Sequence, residues 1–238
     1  MSSVEEFIKL RDGTSVWSMT IGTGLPMILL NGGPGMADYL GPVAELLSEQ
    51  HVVHRYEQRG CGRTKPVGPL TLSTFISDIE ELRNHWGYEK WFVVGHSWGV
   101  DLALAYAIHH PQSLSGLVGL SGGRVHNDRD WKRVYDENKH CEEMPPAAYP
   151  HNQTVNKLLN EDWKAFCRRP ELLARLAHLE TATMFLYGEK DIRPSWPTEQ
   201  LGKLLPNAEF TQITGADHNL WQGNPSEVKR RILDFTSG

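Results

Sequence analysis

The chain lacks the marks of several large protein classes. It has three cysteines, Cys61, Cys141 and Cys167, among 238 residues. They are too few and too scattered for a disulfide framework or a zinc site, and their odd number suits a reducing compartment. No apolar run approaches the roughly 18 residues of a membrane span. The opening MSSVEEFIKLRDG has no apolar stretch that would serve as a signal peptide, so the NQT sequon at Asn152 carries little meaning. Basic residues do not dominate either: 24 Lys and Arg stand against 29 Asp and Glu, a formal charge of -5. No Lys/Arg cluster offers a footprint for nucleic acid. The Rossmann G-x-G-x-x-G and the metal-binding H-E-x-x-H are both missing. His51 and His54 lie three apart on an expected strand, hence on opposite faces, which is wrong for metal ligation. There is no internal repeat and no low-complexity tract. These absences lead us to expect a soluble, cytoplasmic protein with no metal, no cofactor, and neither a nucleic-acid nor a membrane partner.

What is present is a regular alternation of strand and helix signals. VEEFIKLRDGTSVWSMTIG alternates about Asp12-Gly13 and reads as an antiparallel hairpin. PMILLNGGPG is a short buried strand ending in a glycine-rich loop, and 38–49 reads as a helix with Leu40, Val43, Leu46 and Leu47 on one face. HVVHRYEQRG is a strand ending in a polar loop. Residues 71–86 form a helix capped by a Thr and stopped at Gly87. KWFVVG is a strand, 97–109 a helix stopped by Pro111, and SLSGLVGLSGG a strand. From Arg124 to about Leu179 the chain turns rich in charge, Trp, Pro and Asn, with helical pieces around 128–139, 154–166 and 170–178. Alternation resumes with ATMFLYG (strand), 195–205 (helix), AEFTQITG (strand) and PSEVKRRILDF (helix). The pattern predicts an α/β protein with a doubly wound, mostly parallel sheet. Residues 1–123 and 180–238 would form its core, and 124–179 a small helical cap insertion.

In open parallel sheets, ligands bind beyond the carboxyl ends of the strands, and the chemistry-bearing residues fall there. GHSWG, residues 95–99, matches G-x-S-x-G, the strained elbow that presents a nucleophilic serine, here Ser97. Gly95 and Gly99 are expected because side chains there would collide across the turn. Taken alone, the pentapeptide would also fit a serine at a helix N-cap. A serine nucleophile needs a base, an orienting acid and an oxyanion site. Asp191 in FLYGEKDIRP and His218 in ITGADHNLW each follow a strand, and the order Ser, Asp, His is that of the α/β hydrolases. The loop NGGPG offers the Gly33 amide as one oxyanion donor and the turn offers that of Trp98 as the other. Gly32, Trp131, Trp163 and Trp196 are candidate pocket residues, with core packing an equal reading for these three indoles. In YEQRGCGRT, Arg59 reads as a structural anchor and Cys61 as a buried thiol. Ser195, without elbow glycines, reads as structural.

Together NGGPGM, YEQRGCGRT and GHSWGVDLALAYAIHHP resemble the proline iminopeptidase group of the α/β-hydrolase fold, closely over residues 26–122 and more generally over 182–236. The resemblance implies that fold, with nucleophile Ser97, acid Asp191, base His218 and oxyanion donors Gly33 and Trp98. The chain also departs from the group. Asn31 stands in place of the loop histidine, Glu57 in place of Asp, Thr64 in place of Ser, and Val100-Asp101 in place of Ser-Thr. The group holds its substrate's free amine with cap glutamates, one in an E-N-H-Y-F-like stretch that residues 124–180 do not contain. Glu142, Glu143 and Glu161 are the candidates for that task, against the simpler assignment of solvated surface charge. The expected protein is a serine hydrolase acting through an acyl-enzyme on a small-molecule or short peptide substrate, an ester or amide. A carboxylesterase or specialised-metabolite hydrolase without aminopeptidase activity is the first alternative. A non-hydrolytic ligand receptor on the same fold is the second.

Overall fold

The chain was analysed as a computed structural model, which describes residues 3–126, 128–141, 145 and 148–238. The Asp12-Gly13 turn, with Gly13 at φ 91°, closes an antiparallel pair of strands, β1 (Ser3–Lys9) and β2 (Ser15–Gly22). Six further strands follow: β3 (Leu25–Leu30), β4 (His51–Tyr56), β5 (Trp91–His96), β6 (Leu114–Leu120), β7 (Thr183–Gly188) and β8 (Ala208–Ile213). The sheet order is β1-β2-β4-β3-β5-β6-β7-β8. β2 pairs antiparallel with β4, and every later pairing is parallel. The mostly parallel, doubly wound expectation therefore holds.

Strand period places alternate residues on opposite faces, and both faces are covered by helices. Ile28, Leu30 and Val93 point to one side, packing with α2 (Leu72–His85), α3 (Trp98–His109) and α7 (Trp196–Leu204). Met27, Leu29 and Val94 point to the other, packing with α1 (Gly41–Leu47), α8 (Leu220–Gly223) and α9 (Pro225–Ser237). α3 is buried almost all round, which explains its apolar composition LALAYAI. α1 is shorter than the expected 38–49, because Pro42 occupies its first turn and Asp38 is held outside it by an ion pair with Arg55. His51 packs on Phe92 and His54 stacks on Trp86, one on each face of the sheet.

Between β6 and β7 the chain carries α4 (Arg129–Asn138), α5 (Gln153–Cys167) and α6 (Leu172–Ala177). Val155, Leu159, Trp163 and Phe166 of α5 and Leu172 and Leu176 of α6 belong to the same apolar cluster as the sheet. α4 buries none of its side chains. Asn152 of the NQT sequon caps α5: its amide oxygen accepts from Thr154 and Val155, and its NH2 donates to the Gly60 carbonyl. Ser195 stands at the N-terminal boundary of α7 without capping it; its hydroxyl accepts from Gln212 instead. Among the described residues no helix is long and apolar enough to cross a membrane.

The loop after β4 is a charge-paired knot. Arg59 makes five hydrogen bonds, two to the Asp78 carboxylate and one each to Asp12, Thr14 and the Val67 carbonyl. Glu57 is buried over Gly62, where a Cβ would sit 2.3 Å from its carboxyl carbon, and accepts from the Arg63 guanidinium at 2.8 Å. Cys61 is buried, and that burial pushes its thiol up to about 12.

Candidate active site

Ser97 occupies the turn from β5 to α3 with φ 54° and ψ −124°, a conformation that L residues avoid. The neighbouring glycines make that turn sterically feasible. A Cβ on Gly95 would lie 2.4 Å from the Gly99 carbonyl oxygen, and one on Gly99 would lie 2.0 Å from that of Leu30. Gly32 approaches equally closely: a Cβ there would come 2.5 Å from that of Ser97.

Asp191 follows β7 and His218 follows β8, so both stand at carboxyl ends of strands in the same parallel sheet. Nδ1 of His218 lies 2.7 Å from Oδ2 of Asp191, whose carboxyl group is fully buried. A carboxylate only accepts, so Nδ1 carries the proton and Nε2 is left as the basic nitrogen. The other Asp191 oxygen accepts the Arg193 amide at 2.9 Å, with the Arg193 guanidinium at 3.5 Å.

Four residues to which the sequence reading gave no role in the site hold this arrangement together. The Gly32 amide donates to the Tyr39 hydroxyl at 2.8 Å, Tyr39 meets Nδ1 of His96 at 2.7 Å, and Nε2 of His96 lies 3.0 Å from the His218 carbonyl. A carbonyl only accepts, so Nε2 is the protonated nitrogen. The chain of donation therefore runs from Gly32 to Tyr39 to His96, and from His96 to His218. Burial keeps His96 neutral, with its pKa well below the usual histidine value. Asn31 and Gln58 pin the same loop from below, through the Gly32 and Met36 carbonyls and the Asn31 carbonyl respectively. With the Gly32 amide engaged, Gly33 is the loop glycine that lines the same cavity as Ser97. It sits at φ 57° and lines the cavity with Trp98, whose amide opens α3 and has no intrahelical acceptor.

That cavity measures about 250 Å³. Gly33, Ser97, Trp98, Trp131 and Trp163 of the expected residues line it. Asp191, His218, Trp196 and Gly32 do not. The Trp196 indole instead donates to Asp128 at 2.6 Å, tying the start of α7 to the cap of α4. Glu161 is exposed on α5 and away from the cavity, while Glu142 and Glu143 lie outside the described residues. The sequence reading missed Asp101, Arg124, Ser121 and Arg193, which also line the cavity. The departure at position 101 was the one available signal. Its carboxyl accepts the Arg124 amide at 3.0 Å, and burial raises its pKa to about 7. Ser121, at φ 48°, has a buried hydroxyl with no hydrogen-bond partner among the described residues. Among the described residues no group of three or more His, Cys, Asp or Glu is placed to hold a metal.

Comparison with known proteins agrees with this fold. Residues 26–140 match the alpha/beta hydrolase fold family. A Mycoplasma pneumoniae protein named as a proline iminopeptidase is 35% identical over 133 residues, covering 54% of this chain and 43% of that protein. The chain thus spans less than half the length of that relative. A Caulobacter segnis protein named for carbamate hydrolysis (RutD) is 26% identical over 249 aligned residues, covering 90% of this chain and 92% of that one. Among solved structures, a carboxylesterase from Bacillus subtilis superposes with a TM-score of 0.75 at 16% identity, over 99% of this chain and 92% of the other. The chain has the α/β-hydrolase fold. In the half that carries the loop after β3 and the serine elbow, it is similar to the proline iminopeptidases.

Proposed function

We propose that the protein is a serine hydrolase of small carboxylic esters or amides. The observation that carries this reading is a strained Ser97 on the cavity wall, with a hydrogen-bonded Asp191–His218 pair at neighbouring strand ends. Nε2 of His218 takes the Ser97 proton as the hydroxyl attacks the substrate carbonyl. Asp191 keeps the imidazole in that tautomer and stabilises the imidazolium. The Gly33 and Trp98 amides receive the oxyanion, and the imidazolium protonates the departing alcohol or amine. Water then repeats the sequence on the acyl-enzyme. A cavity of 250 Å³ lies below the usual range for drug-sized ligands, roughly 300–1,000 Å³, which favours a small acyl group. The segment 124–179 serves as the cap that closes this cavity, through Trp131 and Trp163.

A fluorophosphonate probe tests the chemistry directly. Wild-type protein should be labelled at Ser97, and Ser97→Ala should lose the label while keeping its circular dichroism spectrum. A folded wild type that takes no label would leave the receptor reading in its place. Prolyl arylamides and short 4-nitrophenyl esters then divide the aminopeptidase activity of the similar proteins from an esterase activity. Failure on every amino-terminal proline substrate would remove the aminopeptidase version.

A further inference from the structure

One corner of the cavity is built from stacked planes. The Arg124 guanidinium lies 3.9 Å over the Trp131 ring, Trp131 stacks on Tyr135 with centroids 5.4 Å apart, and the Arg193 guanidinium lies 5.0 Å from the Tyr135 ring. A single main-chain atom joins the stack to the sheet. The Pro194 carbonyl accepts the Trp131 indole N–H at 3.1 Å and the Tyr187 hydroxyl at 3.4 Å, and Arg193 is its chain neighbour. Two guanidinium groups are thereby brought to the cavity that Ser97 lines.

Arg193 already has a carboxylate partner in Asp191, whose Oδ1 lies 3.5 Å from its guanidinium and whose Oδ2 meets His218. Arg124 is placed differently. The Asp101 carboxyl is met by the Arg124 amide, not by its guanidinium. Among the described residues no carboxylate lies within 4.0 Å of the Arg124 guanidinium, and its side chain makes no hydrogen bond. A guanidinium seated on an indole face, in a cavity that Ser121 also lines with a buried hydroxyl lacking a partner among the described residues, keeps its N–H donors for a planar anion.

Resting on the serine-hydrolase reading, we infer that the substrate carries a carboxylate, gripped at this corner by Arg124 with Arg193 beside it, while Ser97 attacks the ester or amide carbonyl. Asp101 defines the opposite possibility in the same cavity, a cationic substrate, and the experiment separates the two.

Purified full-length protein would be assayed with three esters of matched length: 4-nitrophenyl butyrate, mono-4-nitrophenyl succinate and 4-nitrophenyl 4-aminobutyrate. The expected kcat/KM for the anionic ester exceeds that for the neutral one by about tenfold or more, chiefly through KM, and the advantage shrinks with salt. In Arg124→Gln the anionic-to-neutral ratio should fall toward one, and Arg124→Lys should restore part of it. The ratio is taken within each variant, so partial unfolding cancels. Protection of Ser97 from the fluorophosphonate by millimolar succinate, but not by butyramide, gives a second readout that needs no turnover. Equal rates for the neutral and anionic esters, a preference for the amino ester, or a ratio unmoved in Arg124→Gln would overturn the inference while leaving the hydrolase reading intact. Absence of labelling in folded wild type would remove both.

Discussion

The loop after β4 and the cavity beside Ser97 both bury charged and polar side chains, and they treat them differently. In the loop, Arg59 spends its guanidinium on five partners and Glu57 is matched by Arg63. In the cavity, Asp101 is met by main-chain N–H groups, Arg124 rests on an indole, and the Ser121 hydroxyl has no partner among the described residues. Both regions also press glycines against bulky neighbours, but the loop gains closure and the turn at Ser97 stores strain. A buried polar group left short of partners costs stability, and Ser121 and the Trp98 indole bring that cost to the cavity wall.

Replacing Ser97 with Gly makes the sharpest break. Turnover should fall about 10⁴-fold or more, while relief of the strained φ should raise Tm by several degrees, since such a conformation costs on the order of 1–3 kcal/mol. Paired kinetics and calorimetry check it, and a lower Tm would deny the strain.

Arg59→Met strikes the other region. It leaves Asp78 buried without its partner, at a cost of roughly 3–5 kcal/mol, so Tm should drop by about 10 °C. Burial already raises the Asp78 carboxyl to about 6, against the pull of Arg59. Without that pull its pKa rises further, so the loss should be smaller at pH 5 than at pH 8. A loss independent of pH would place the damage elsewhere.

Tyr39→Phe sits between the two regions. It strands the Gly32 amide and Nδ1 of His96, loosening the loop that presents Gly33. A fall in kcat of about tenfold, with KM little changed, is expected for a lost alignment of roughly 1–2 kcal/mol. A change confined to KM would argue for substrate contact instead.

The smallest effect belongs to Asp101→Asn. The folded carboxyl titrates at about 7 rather than 3.8. Between those values the folded state keeps a proton that the unfolded state has released, so wild-type stability falls as pH rises from about 4 to 7. The variant should lack that slope, gaining a few degrees of Tm at pH 8 and none near pH 4. Matching curves for both proteins would show that Asp101 is not the source.

The strand and helix sequence was legible because each element carries its own period and its own stop signal. Thr71 caps α2 and Gly87 ends it, and no distant residue is needed to see that. The Asp191–His218 pair was legible because both residues follow strands, in an order the sheet converts into proximity. The relay through Tyr39 and His96, and the stack of Arg124 on Trp131, join residues far apart in the chain. No local pattern announces such pairs. Trp196 shows the same limit from the other side: an indole beside the right loop turned toward Asp128 and left the cavity wall to others. The four-residue α8 is too short to leave a helical period.

Gly99 sets a dimension that no other residue can supply. A Cβ there would come within 2.0 Å of the Leu30 carbonyl oxygen, so the start of α3 touches the end of β3 with nothing in between. The Trp98 amide rides on the helix and the Gly33 amide on the strand's loop. Position 99 is thus a gauge of zero thickness between them. Even one methyl group would widen the gap between those two amides, and in the hydrolysis we propose the serine beside it could remain perfectly placed and still have nowhere to send the charge.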